Sequence, residues 1–183
     1  LEVDDGYRLD ELGKGWQVAM TTLLHERGAG ELQTPRSGGM KSKATHSTNT
    51  ANLIELARVT SRNGKPAADD PLIRDRIMQL VIQEAGLGQN QRRARVSALQ
   101  DHPARLLLQN KLLASEIAQA IGATAMEVEG ASASLYLGDD NAPAGGQWPM
   151  AYMNSYGMTI AAGTSEIQRN ILGERVLGLA KSK

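Results

Sequence analysis

The sequence predicts an all-α fold, an antiparallel bundle of about four main helices. Three observations lead there. Apolar residues recur at helical spacing in several long segments, and no segment alternates apolar with polar residues as a half-buried strand does. Phe is absent, so Leu, Ile, Val, Met and Ala must build the core, a mix that suits packed helices better than sheets. The chain also has 183 residues and no Cys, a length sufficient for one domain with a core of its own and no disulfides.

Residues 1–14 are polar and without clear periodicity, and are expected to be a linker or the tail of a preceding domain; residues 15–183 form the helical domain. Gly15 to about Ala29 is predicted as a helix with Trp16, Met20 and Leu23 on one face, weakened at its end by Gly28 and Gly30. Residues 33–47 form a loop rich in Thr, Ser, Gly and Lys, and Ser37 to Ser42 fails the spacing of a phosphate loop. Ala51 to Val59 is a short helix carrying Leu53, Ile54 and Leu56, broken at Arg62-Asn63-Gly64-Lys65-Pro66. Asp70-Pro71 starts the next helix, with Asp as cap and Pro at the first helical position; Ile73, Ile77, Leu80 and Val81 face inward. Gly86 and Gly88 are expected to end it. Arg92, Arg93 and Arg95 are read as a solvated face. Asp101-His102-Pro103 starts a long helix with Leu106, Leu113, Ile117 and Ile121 in register, running as far as Leu137. A loop at residues 138–147 precedes a short helix from Trp148 to Met158, and a capped helix from Ser165 closes the chain.

Composition excludes several functions. Twenty basic residues balance twenty acidic ones, which argues against nucleic acid or an anionic membrane as the main partner. Without Cys, and with only His25, His46 and His102 at no ligand spacing, the sequence offers no metal site and no thiol chemistry. No apolar run approaches the ~18 residues of a membrane span, and no secretory signal is visible. A cytoplasmic protein is the expectation.

The most informative segment runs from Ala161 to Leu179. Gly163 allows close backbone approach, and Ser165 and Gln168 have the S-x-x-Q spacing of a capping box. Ile167, Ile171 and Leu172 give the apolar stripe of the helix that follows. Such a helix start suits a phosphate or a ligand carbonyl, although most capped helices bind nothing. Gly163-Thr164-Ser165-Glu166-Ile167-Gln168-Arg169-Asn170-Ile171, followed by Glu174-Arg175-Val176-Leu177-Gly178-Leu179, closely resembles the C-terminal signature of acyl-CoA dehydrogenases. At the other end, Gly15-Trp16, Met20-Thr21-Thr22-Leu23 and Glu26-Arg27 resemble the start of that family's C-terminal helical domain. The resemblance spans roughly Leu12 to Leu179, more weakly in the middle.

The resemblance implies an oxidoreductase that converts an acyl-CoA thioester to its trans-2-enoyl form, with FAD taking the hydride. It implies an electron-transfer flavoprotein or similar acceptor and a homo- or hetero-oligomer. A carboxylate base removes the α-proton while hydrogen bonds polarise the thioester carbonyl. Many members carry that base just before Gly-Thr-Ser, where this chain has Ala162. Others place a Glu on the first helix of the domain, where this chain has Glu26 followed by Arg27. Glu26 is therefore the candidate base, its alternative being a surface Glu paired with a neighbouring Arg. The Ala162 amide matches the one that polarises the thioester; Thr164, Ser165 and Glu166 match positions that contact the flavin; and Arg27 matches a position near the acyl-CoA. Two family stretches are missing. Near Arg62 there is no Phe-Gly, and around Met126–Gly130 there is no Gln-x-x-Gly-Gly-x-Gly. These departures resemble family members that assemble as unlike pairs, some of them acting on bulky steroid side chains. The other reading is a non-catalytic assembly subunit of such a pair. The N-terminal helical and middle β-domains that enclose the flavin in the family are not part of these residues, so the isolated 183-residue chain is expected to be inactive.

Overall fold

The computed structural model of the chain describes residues 2, 4–24, 48–100 and 105–181. The chain divides into two compact units, Leu1–Gly39 and Met40–Lys183. The first holds a 3-10 turn at Asp5–Tyr7 and helix α1, Gly15–Leu24. Asp4 caps the turn, its carboxylate accepting the Gly6 N–H at 2.7 Å. Trp16 is exposed although Met20 and Leu23 on the same helix are half-buried. The expected stretch of this helix to Ala29 and the loop at residues 33–47 lie outside the described residues.

The second unit is the helical bundle. Helix α2, Thr50–Val59, begins at Asn49, whose side chain accepts the Asn52 N–H at 2.8 Å. The Glu84 carboxylate accepts from both the backbone N–H and the hydroxyl of Thr50, placing negative charge on the positive end of α2. Two very short strands follow, β1, Ser61–Arg62, and β2, Lys65–Pro66, paired antiparallel with Ser61 opposite Pro66 and Arg62 opposite Lys65. They are too short to alternate visibly, so the sequence reads only as a break there.

Helix α3, Pro71–Arg93, starts as the sequence predicts: Asp70 accepts the Leu72 N–H at 2.9 Å and Pro71 takes the first helical position. It does not stop at Gly86. Both glycines lie inside the helix, and Leu87 between them packs against the core, which outweighs a cost of ~1 kcal/mol per Gly. Arg92 and Arg95 are exposed as expected, whereas Arg93 is half-buried and donates to the Leu99 carbonyl at 2.9 Å.

Helix α4, Arg105–Glu129, is central, packing on α2, α3 and α5, Gln147–Ile160. Ile117, Ile121, Ala125 and Val128 bury with Leu53, Ile73 and Ile77 from α2 and α3 and with Trp148 from α5. Leu106 is buried as expected, but Leu113 is exposed, and Leu112 takes the inward place. α4 ends at Glu129 rather than near Leu137, because Gly130 turns left-handed (φ 59°) and a 3-10 turn, Gly130–Ser134, redirects the chain. A helix of seven residues, α6, Ser165–Ile171, packs on α4 and continues into one π-turn, Leu172–Val176.

Candidate active site

The segment that links α5 to α6 is where the sequence concentrates its signals. α5 closes with the Ala161 N–H donating to the Gly157 carbonyl at 2.9 Å. Ala162 and Gly163 are then both left-handed, at φ 56° and 98°. For Ala this conformation costs roughly 1–2 kcal/mol. Thr164 returns to extended backbone and α6 begins.

The cap is one residue earlier than the S-x-x-Q spacing predicts. Thr164 is the N-cap, its hydroxyl accepting the Ile167 N–H at 3.3 Å, and Ser165 is the first helical residue. Two adjacent hydroxyls make the register ambiguous in sequence; the Ala162-Gly163 turn decides it. Gln168 is therefore not the back-reaching member of a capping box. It is fully buried, and its Nε2 donates to the Ala162 carbonyl at 2.8 Å and, at 3.4 Å, to that of Gly163. From α4, Lys111 Nζ donates to the Gly163 carbonyl at 2.7 Å. Lys111 has one signal in the sequence, a Lys beside Leu112 within an apolar helical stripe, and that does not mark it as part of the site.

Thr164, Ser165 and Glu166 line a cleft of about 260 Å³, together with Glu116 and Gln119 from α4, Thr159 and Ile160 from α5, and Arg169. Arg169 pairs with Glu116 at 2.6 Å across the cleft wall. The Glu166 carboxyl is held below the usual range, chiefly by its own backbone N–H and then by the Thr164 hydroxyl, so it stays ionised. Hydroxyls of Thr164 and Ser165, the Gln119 amide and the charged pair form a donor and acceptor set that fits the hydroxyl-rich sugar portions of a flavin dinucleotide. The two carboxylates, with Arg169 already engaged by one, fit a phosphate less well.

Of the six residues singled out by sequence, the structure thus brings Ala162, Thr164, Ser165 and Glu166 to one turn and helix start. Glu26 and Arg27 lie outside the described residues. Among the described residues, no three His, Cys, Asp or Glu side chains are grouped as a metal site, and no helix is long and apolar enough to cross a membrane.

Comparison with known proteins agrees with this picture. The model of the acyl-CoA dehydrogenase C-terminal domain matches residues 13–177. Acyl-CoA dehydrogenase IpdE1 of Mycolicibacterium smegmatis is 35% identical over 177 residues, which cover 96% of this chain and 40% of the relative. Among solved structures, the ChsE4-ChsE5 complex from Mycobacterium tuberculosis superposes with a TM-score of 0.73 at 22% identity, over 99% of this chain and 44% of that one. An FAD-dependent dehydrogenase superposes with a TM-score of 0.70 at 20% identity, over 97% and 44%. The structural likeness shows the fold, and the chain spans about two fifths of the length of the curated relative. The match over nearly its whole length shows that the chain belongs to the acyl-CoA dehydrogenase family, as its C-terminal domain.

Proposed function

We propose that this chain is the C-terminal part of a flavin-dependent acyl-CoA dehydrogenase that oxidises an acyl-CoA thioester to the trans-2-enoyl-CoA. Residues 15–183 are its helical domain and residues 1–14 lead into it. Glu26 removes the α-proton and Arg27 lies beside the acyl-CoA. The Ala162 amide donates to the thioester carbonyl, where charge builds as the proton leaves. Thr164, Ser165 and Glu166 hold the flavin dinucleotide, which, when bound, accepts the hydride from the β-carbon. The assembly is an oligomer in the cytoplasm, reoxidised by an electron-transfer flavoprotein or similar acceptor.

The observation that carries this reading is the turn before α6. Its backbone is shaped and held, yet its side chain at position 162 is a methyl group that takes no proton. A site with that turn needs its base from elsewhere, and the family resemblance supplies Glu26. The test is Glu26→Gln in the full-length gene product, which preserves shape and hydrogen bonding while removing basicity. Turnover should fall at least about 10²-fold, the usual lower contribution of a positioned base, with flavin content unchanged. Near-normal turnover would remove Glu26 from the mechanism.

One observation favours the non-catalytic assembly subunit. The β1–β2 hairpin, Arg62-Asn63-Gly64-Lys65, has polar residues near where the resemblance expects an Arg-x-x-Phe-Gly stretch that meets flavin across a subunit interface. Full-length protein that purifies with neighbouring gene products but without flavin would favour that reading.

A further inference from the structure

Two side chains converge on the Ala162-Gly163 turn from different parts of the fold. Gln168 reaches back from α6, and Lys111 reaches in from α4, 52 residues earlier in sequence. Each donates to a carbonyl of one of two successive peptide units. Because a peptide unit is planar, fixing the Ala162 and Gly163 carbonyls fixes two adjacent planes. The Ala161 N–H, bonded into the end of α5, fixes the chain on the other side. The Ala162 amide lies between these two anchors. Gln168 is completely buried, and its Oε1 accepts no hydrogen bond among the described residues. The amide group is thus oriented by what its Nε2 donates to, and a buried acceptor is left unmatched in return. Lys111 brings a charged donor into a half-buried position, where its bond to a carbonyl is stronger than a neutral one.

We propose that Gln168 and Lys111 are positioning residues that hold the Ala162-Gly163 turn so that the Ala162 amide meets the acyl thioester carbonyl. The inference rests on the reading of Ala162 given above. Lys111 references the turn to α4, the helix buried at the centre of the bundle, and Gln168 references it to α6. A donor at a charge-developing site acts only if it is placed before the reaction, and displacement by about 1 Å costs up to 10²-fold in rate.

The test uses the full-length, flavin-loaded protein and three variants: Gln168→Met, Lys111→Met and Lys111→Arg. The two Met variants keep length and lose the donor; Arg keeps a charged donor. Backbone hydrogen exchange in the peptide spanning residues 157–168 reads the turn without reference to substrate. Exchange should quicken at least tenfold in both Met variants and revert toward the parent in Lys111→Arg. With hexanoyl-CoA as probe, kcat should fall about 10- to 100-fold while KM and flavin content hold, because the lost contact matters as charge develops. Should Gln168→Met fail to fold, Lys111→Met, at a half-buried site, decides alone. Exchange unchanged in Lys111→Met would overturn the clamp. Faster exchange with unchanged kcat would overturn the positioning role and the Ala162 reading, leaving the clamp as structure only. A parent protein that binds neither hexanoyl-CoA nor a longer or steroid-bearing acyl-CoA defeats the reading, and exchange then decides the clamp.

Discussion

Glu129, the last residue of α4, should make this chain less stable as pH rises from mildly acidic to neutral. It is 6% exposed, and neither carboxylate oxygen has a hydrogen-bond partner among the described residues. It also sits at the negative end of a 25-residue helix, which disfavours its charge further. Burial raises its pKa from 4.5 to about 7. Between those values the folded chain holds a proton that the unfolded chain releases, so stability falls as pH climbs through that window. The gap corresponds to about 3 kcal/mol, and relaxation of the site on ionising trims this to about 2 kcal/mol. Glu129→Gln removes the titration and buries a neutral amide with the same lack of partners as the protonated carboxyl, so its stability does not carry this pH dependence. Urea unfolding of both proteins at pH 5, 6, 7 and 8 should therefore give diverging curves. The variant should be about as stable as the parent at pH 5 and more stable at pH 8, with a swing of about 2 kcal/mol between them. Parallel profiles would refute the reasoning and mean that Glu129 has a partner or reaches water.

Two further changes probe what places the site. Gly146→Ala should destabilise the chain by more than about 2 kcal/mol: the residue is left-handed at φ 72°, and an added Cβ would lie 2.5 Å from the Tyr136 carbonyl carbon and 2.6 Å from the Leu137 nitrogen, so thermal unfolding should shift down by several degrees. Glu84→Ala should cost about 1–2 kcal/mol by leaving the Thr50 hydroxyl and amide without their acceptor, measured as a lower urea midpoint at unchanged slope.

The fold was legible where a residue's local preference and its burial agree. Asp70-Pro71 announces α3, and Ile73, Ile77 and Leu80 keep their periodicity in the folded core. It was not legible where long-range packing overrides local chemistry. Gly86 and Gly88 look like a stop, yet Leu87 packed against the core and Ala94 buried at the helix end favour its continuation. Leu112 and Leu113 are interchangeable to any periodicity argument, and the neighbouring helices choose between them. The site divides the same way. Thr164, Ser165 and Glu166 stand out in the sequence because the signature is contiguous. Lys111 was missed because its partner is a backbone carbonyl 52 residues away, a relation that no spacing encodes.

Position 162 joins the two lessons. Sequence shows what is missing there, a carboxylate; structure shows what has been kept, a backbone shape that Ala adopts at a cost of roughly 1–2 kcal/mol. A strained, non-glycine residue persists only where its surroundings over-determine it. Here the surroundings are identifiable: the end of α5 on one side, Gln168 and Lys111 on the other. Ala144, left-handed at φ 48° beside Gly145 and Gly146, shows that such an Ala also occurs in a plain connection, so it is the two donors on the 162–163 carbonyls that set this turn apart. That the turn is held through its carbonyls while its side chain is a bare methyl is what the proposed function requires of a position whose backbone, not its side chain, meets the substrate.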